Sequence, residues 1–420
     1  MHGNRGWVLS LLCALPVSSV IMITSQGAST ATEIYAPAGS DTAQAVATES
    51  ASGALIVAYN RCGQQLFRAF SKEPGNIVLS PYSIGTAMTM MLAGARGETA
   101  SEMAKVLGLQ LSREMIDGAN AAALGSLRKI PSARSQMYIA NALMLTKRGT
   151  IISEDYVSLL RKTYAAEIFR GTDLAKVNGW VKEKTGGKID SIANRFDQKT
   201  ALVLLDAIYF KARWRQAFDA HTTKNEPFHR PGGEIQVPMM HVLSDFAVVE
   251  RSGYRAIRLP FASADVAMIV MLPNADIADV VGLLDDDEMQ SLLGAFRTAP
   301  QPVSLSLPRF HAHFEASLVE PFIAIGMRLP FDAALADFSG ITGMPPSVVP
   351  LQIDQIMHRA VIDVAEEGAE AAAVTSVEVK IISAMPQSVN IFRIDRPFAF
   401  AIVDQKTGAV LFEGQVVDPR

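Results

Sequence analysis

The chain has 420 residues, of which 49% are hydrophobic and 19% charged, with a mean hydropathy of +0.20. This composition excludes a disordered chain, a collagen and a disulfide scaffold, and a net charge of −4 leaves no basic footprint for nucleic acid. Length alone suggests two or three domains at about 150 residues each, and the apolar excess calls for a membrane segment or a large core.

In chain order, Met1 to Arg5 carries one positive charge, and Gly6 to Ile23 is uncharged and mostly apolar. Small and polar residues follow, with Ser25 and Gly27 or Ala28 near a cleavage point, so residues 1–27 read as a signal peptide. A membrane anchor is the alternative, because the run is near the spanning minimum of about 17–18 residues, although Pro16 interrupts it. Export predicts a secreted or periplasmic protein without stable membrane contact after cleavage. Cys13 lies in the signal, so the mature chain keeps Cys62 alone and no internal disulfide is available.

Residues 28–51 are rich in Ala, Thr, Ser and Gly and predict a flexible leader; from 52 to 420 no linker or repeat appears, which predicts one large domain. Helical periodicity marks Leu55–Phe70, Ile84–Leu92, Thr99–Leu107, Glu154–Tyr164 and Leu174–Lys184. Strand-like runs are Ala201–Phe210, Phe246–Val249, Ala256–Leu259, Val266–Leu272, Val303–Leu307, Ile356–Val364, Phe398–Val403 and Val410–Val417. Helices early and strands late predict an α+β fold.

Catalytic patterns are weak. Ser126-Leu127-Arg128-Lys129 matches S-x-x-K, and Lys184-Thr185-Gly186 and Lys406-Thr407-Gly408 match K-T-G, but the S-D-N element of a penicillin-recognising serine enzyme is missing, because Phe246 follows Ser244-Asp245. His311 and His313 fit the start of a metal site, with Glu315 as the one acidic neighbour, but read better as a solvated strand face. His358, in an apolar strand pattern, reads as a hydrogen-bonded core histidine. No catalytic residue, metal or cofactor is expected.

The most informative stretch is Glu366 to Pro386. After Gly368 it alternates: Ala369, Ala371, Ala373, Thr375, Val377, Val379 and Ile381 form a small or apolar face, and Glu370, Glu378 and Lys380 lie on the other. It is long for a strand, typically about 5–6 residues, and its Ala-rich start has poor β propensity. These features describe a segment that is a loop in one state and a strand in another.

Here the sequence resembles the serpin family, as an exported, prokaryotic-type member. The hinge Glu366-Glu367-Gly368-Ala369-Glu370-Ala371-Ala372-Ala373 is close to the family pattern. Asn76-Ile77-Val78-Leu79-Ser80-Pro81-Tyr82-Ser83-Ile84, Val177-Asn178-Gly179-Trp180-Val181 with Thr185, Gly187 and Ile189, Ile208-Tyr209-Phe210-Lys211-Ala212-Arg213-Trp214 with Phe218, Leu307-Pro308-Arg309-Phe310, Ala336-Asp337-Phe338-Ser339-Gly340-Ile341, Arg396-Pro397-Phe398 and Leu411-Phe412-Glu413-Gly414-Gln415-Val416 agree in order, so the resemblance covers residues 52–420.

The resemblance implies three β-sheets, about nine helices and an exposed reactive-centre loop at about 366–390. It implies a monomeric suicide inhibitor that traps a serine or cysteine protease by inserting the cleaved loop into the central sheet, or alternatively a non-inhibitory chaperone or ligand carrier. The hinge favours inhibition: Gly368, Ala369, Ala371, Ala372 and Ala373 are small, and Val374 is a mild departure. The family's register, counted from Glu366, puts the reactive bond at Ile382–Ser383, which suits elastase-like or subtilisin-like targets, with Lys380 and Met385 as alternatives. Ser80, Ser83 and His358 match a gate beneath the central sheet, where Asp206 stands in place of the usual Asn and implies a pH-sensitive pair with His358. Arg309, Glu366 and Trp214 match the top of that sheet, where insertion begins.

Overall fold

Among the described residues the chain orders as α1 (Gly39–Phe70), β1 (Ile77–Leu79), α2 (Pro81–Gly94), α3 (Gly97–Val106), α4 (Arg113–Leu127), β2 (Ser135–Leu145), α5 (Glu154–Thr163), β3 (Glu167–Arg170), α6 (Leu174–Lys184) and β4 (Leu202–Ala212). Then come β5 (Lys224–Arg230), β6 (Gly233–Glu250), β7 (Tyr254–Pro260), β8 (Val266–Pro273), α7 (Asp286–Ala295), β9 (Gln301–Pro308), β10 (Phe310–Ser317), α8 (Val319–Ala324), α9 (Ser339–Thr342), β11 (Gln355–Val364), β12 (Asn390–Arg393), β13 (Phe398–Asp404) and β14 (Ala409–Val416). The computed structural model describes residues 39–72, 75–127, 135–146, 150–196, 200–262, 265–275, 281, 286–296, 299–367 and 389–420. The expected signal peptide, the hinge from Gly368 to Ala373, the bond Ile382–Ser383 and its alternatives Lys380 and Met385 lie outside them.

Residues 39–51, expected as part of a flexible leader, belong to α1. Few large apolar residues is a statement about burial; Ala43, Ala45, Ala47 and Ala51 are strong helix formers. Contacts divide the chain into Met1–Ala43 and one unit from Gln44 to Arg420. No helix among the described residues is long and apolar enough to cross a membrane.

A five-stranded sheet has the order β10-β11-β4-β2-β3, and a nine-stranded one runs β1-β14-β13-β8-β7-β6-β9-β12, with β5 on β6. The three sheets implied by the resemblance are these two, the larger being double. The 18-residue β6 runs through both of its parts, pairing with β5 and β9 up to Phe246 and with β7 from Ala247.

Helix α2 is buried along its whole length, as expected of a helix apolar on every side. It starts where Ser80 Oγ accepts a hydrogen bond from Ser83 N at 3.2 Å, with Pro81 at the first helical position. Strand β4 is covered on both faces: Leu204, Ile208 and Phe210 join the main core with α2, while Val203, Leu205 and Tyr209 pack with Val177 and Val181 of α6. Cys62 is buried on α1; burial, with Glu413 nearby, pushes its thiol up to about 12, so it packs as a neutral side chain.

Gly414 of β14 stands opposite Val78 of the antiparallel edge strand β1. A Cβ there would lie 2.3 Å from Ile77 O and 2.8 Å from the Phe400 ring. Gly414→Ala is expected to destabilise the fold by about 1–3 kcal/mol. Gly179→Ala, on the exposed side of α6 with nothing within 4 Å, is expected to be neutral or stabilising. Chemical denaturation of both variants measures the opposite signs.

Candidate functional site

Strands β4 and β11 are parallel neighbours, in register from Val203↔Gln355 to Phe210↔Ile362. Their outer partners, β2 and β10, are antiparallel to them. Asp206 and His358 face each other across this seam, and His358 Nδ1 lies 2.7 Å from Asp206 Oδ2. Both are fully buried. The N-terminus of α2 completes the cluster: Ser83 Oγ donates to Asp206 Oδ1, and Ser80 N donates to His358 Nε2 at 3.3 Å. The structure therefore brings together all four residues expected beneath the central sheet. It also opposes Asn141 of β2 to Asp206 in the same row, a buried residue the sequence reading missed. Its only signal was a polar residue inside an apolar run.

At the top of the seam the chain continues from β11 through Ala365, Glu366 and Glu367. Trp214 Nε1 donates to Ala365 O at 2.8 Å, Trp214 N to Glu367 O at 3.0 Å and Phe218 N to Glu366 O at 2.9 Å. The Trp214 ring stacks on Phe261, with centroids 4.5 Å apart and planes 10° off parallel. The Glu366 carboxylate is buried against Arg309, with which it forms an ion pair, and accepts from Thr223 Oγ1 at 2.7 Å. Burial raises its pKa, but the hydrogen bonds from Arg309 and Thr223 outweigh that and hold the carboxyl below its usual range. Phe218 belongs to the motif that also carries Trp214, whereas Thr223 and Phe261 were not singled out in the sequence, because only the tertiary fold carries them to Glu366 and Trp214.

Several of the remaining sequence signals find structural roles. His311 and His313 are exposed on β10, and His311 pairs with Asp363 of β11. Thr185 closes the end of α6 by donating to Val181 O at 2.8 Å, and Thr407 donates to Asp404 Oδ2 at 2.7 Å in the turn before β14. Ser126 lies near the end of α4, and Lys129 is outside the described residues.

Residues 57–419 match the family model described as serpin (serine protease inhibitor). The chain is 32% identical over 375 residues to an uncharacterized serpin-like protein of Thermococcus kodakarensis, covering 87% of this chain and 86% of that protein. It is 33% identical over 386 residues to the leukocyte elastase inhibitor of Bos taurus, covering 87% and 99%. Among solved structures, native tengpin, a thermophilic serpin, superposes with a TM-score of 0.78 at 27% identity, over 86% of this chain and 94% of that one.

The Glu366 contacts set a pH dependence. A carboxyl with a depressed folded pKa contributes stability that is complete above the unfolded value of about 4.3 and is lost as pH falls through the folded value. The stability difference between the wild type and Glu366→Gln is expected to be constant from about pH 8 to about pH 5 and to shrink below about pH 4. Urea titrations across that range measure it.

Proposed function

The chain belongs to the serpin family, and on that premise we propose that it is an irreversible inhibitor of serine proteases, working by insertion of its cleaved loop into the five-stranded sheet. The observation that carries this reading is the parallel seam between β4 and β11, whose upper end runs straight into the alternating segment after Glu367. A chain that leaves the C-terminal end of β11 and folds back is antiparallel to β11, and therefore to β4 as well. Entering the seam, it replaces one parallel ladder with two antiparallel ones, the slightly more stable pairing. Strand β4 is 11 residues long, so a matching strand from Ala369 carries the following residues about 36 Å along the sheet.

The chemistry follows from that movement. The protease serine attacks the Ile382 carbonyl, the Ile382–Ser383 bond breaks, and the protease is left as an acyl-enzyme on Ile382. Insertion drags the tethered protease along the sheet and distorts its site before water completes the hydrolysis. Ile382 suits an aliphatic specificity pocket, so elastase-like or subtilisin-like enzymes are the proposed targets; the elastase inhibitor among the relatives supports this. A cysteine protease also forms an acyl-enzyme and fits the same trap. The apolar Gly6–Ile23 run supports export and action outside the cell.

Two sets of contacts must part for entry. The Trp214 and Phe218 hydrogen bonds to residues 365–367 hold the top, and the Asp206–His358 pair ties the seam lower down.

Incubation with elastase, subtilisin, trypsin and chymotrypsin tests the proposal. A denaturation-resistant complex and a released peptide beginning at Ser383 are expected, whereas cleavage without complex with every protease sinks it. Ala371→Arg places a charge on the face that is buried on insertion and is expected to turn the inhibitor into a substrate; Glu370→Arg, on the other face, is expected to leave complex formation largely intact. The ratio of complex to cleaved chain on a denaturing gel reads both. Asp206→Asn replaces the carboxylate that faces His358 Nδ1 with a neutral amide and is expected to change the rate of complex formation, and an unchanged rate removes that carboxylate's charge from the gate.

A further inference from the structure

We propose that the outer face of β6, β9 and β12 is a docking surface for the body of the target protease, separate from the loop that enters its cleft; this rests on the inhibitory reading above. The two most exposed large apolar side chains among the described residues are Ile391, at 68%, and Leu243, at 66%. They are remote in sequence but stand in one row. Leu243 of β6 is opposite Ser304 of β9, and Ser304 is opposite Ile391 of β12. Residues opposed across a sheet share a face, so the three point outward together, with strands about 4.8 Å apart. Their sequence neighbours Leu305 and Phe392 turn inward and are buried.

The row has the anatomy of a small interface, an apolar centre between polar ends. On one side lie Asp245 and Pro302, both exposed. On the other, His241, Ser306 and Arg393 form the next outward row, where His241 Nε2 lies 2.9 Å and Arg393 Nη1 2.7 Å from the Glu226 carboxylate.

The tether to the reactive bond identifies the occupant. Ile391 lies on β12 and follows Met385, Ile382 and Lys380 by 6, 9 and 11 residues. Whichever of these is cut, the connection to Ile391 is at most about 20–40 Å at about 3.3–3.6 Å per residue. A protease domain of about 230 residues has a radius of gyration of about 17 Å, so its body stands within reach of this face while its cleft holds the bond. The anchor point is fixed: Arg255 donates to Ile391 O at 3.1 Å and to Asn390 Oδ1 at 2.8 Å, and its guanidinium lies 4.8 Å from the Phe392 ring centre. The complementary partner is a serine protease with an apolar surface beside the exit of its cleft, where the residues after the cut bond emerge.

The test compares the wild type, Leu243→Ser, and Leu243→Ser combined with Ile391→Ser against the same four proteases. The rate at which intact chain is consumed, to complex or to cleaved product, reads docking; the ratio of the two products reads trapping. With at least one protease the double variant is expected to be consumed about five- to tenfold more slowly, the single variant less so, with the product ratio unchanged. Leu335→Ser combined with Val348→Ser, which removes apolar residues exposed to 62% and 64% elsewhere, is expected to change neither. Unchanged consumption by all four proteases overturns the proposal. So does light scattering that finds a wild-type dimer abolished by the double variant, because the face then belongs to a second copy. A wild type that is only ever cleaved sinks the inhibitory reading, while the consumption rates still decide the docking surface.

Discussion

Everything distinctive in this structure turns on one parallel ladder, that between β4 and β11. Parallel pairing is slightly weaker per residue than antiparallel pairing, and this ladder lies between two antiparallel ones, with α6 packed over it through Val177, Val181 and Val361. Besides the parallel β2–β3 pair at its edge, the sheet is thus built with a weaker seam inside it. The elements around the seam hold it: a buried polar pair across it and a latch of hydrogen bonds over its upper end.

The polar pair does double duty. Ser80 and Ser83 begin α2, and their groups also reach the seam: Ser83 N donates to Ser80 Oγ while Ser83 Oγ donates to Asp206, and Ser80 N donates to His358. The start of a fully buried helix and the joint of the sheet share one hydrogen-bond network. Buried networks of this kind are costly when any member loses its partner, so parting the strands also disturbs the helix beneath them. That ties the movement of two strands to the core.

The long periodic segments were legible before any coordinates. Leu174–Lys184 reads as a helix and is α6 to the residue, and Val266–Leu272 and Phe398–Val403 lie within β8 and β13. Helix α4 was missed because Gly118 and Gly125 blur its stripe, and most of β6 because Pro238 and alternating polar residues disguise it. At the candidate site, Ser80, Ser83, Asp206, His358, Trp214, Arg309 and Glu366 were read from motif order. Thr223 and Asn141 were not, because a residue's place in a network is set by register between strands distant in sequence, and no local pattern records it.

The chain's buried cysteine offers a separate handle on its motions. Cys62 sits on α1, where the nearby Asn60 side chain donates to Gly408 O and accepts from Val410 N at the start of β14, in a different sheet from the β4–β11 ladder. A thiol held protonated and sealed there reacts with an alkylating reagent only when α1 lifts from β14. Its labelling rate is therefore a clock for global opening, whereas exchange of the β4 and β11 amides times the parting of the sheet. The molecule carries the means to tell a protein that opens to receive a strand from one that is coming apart.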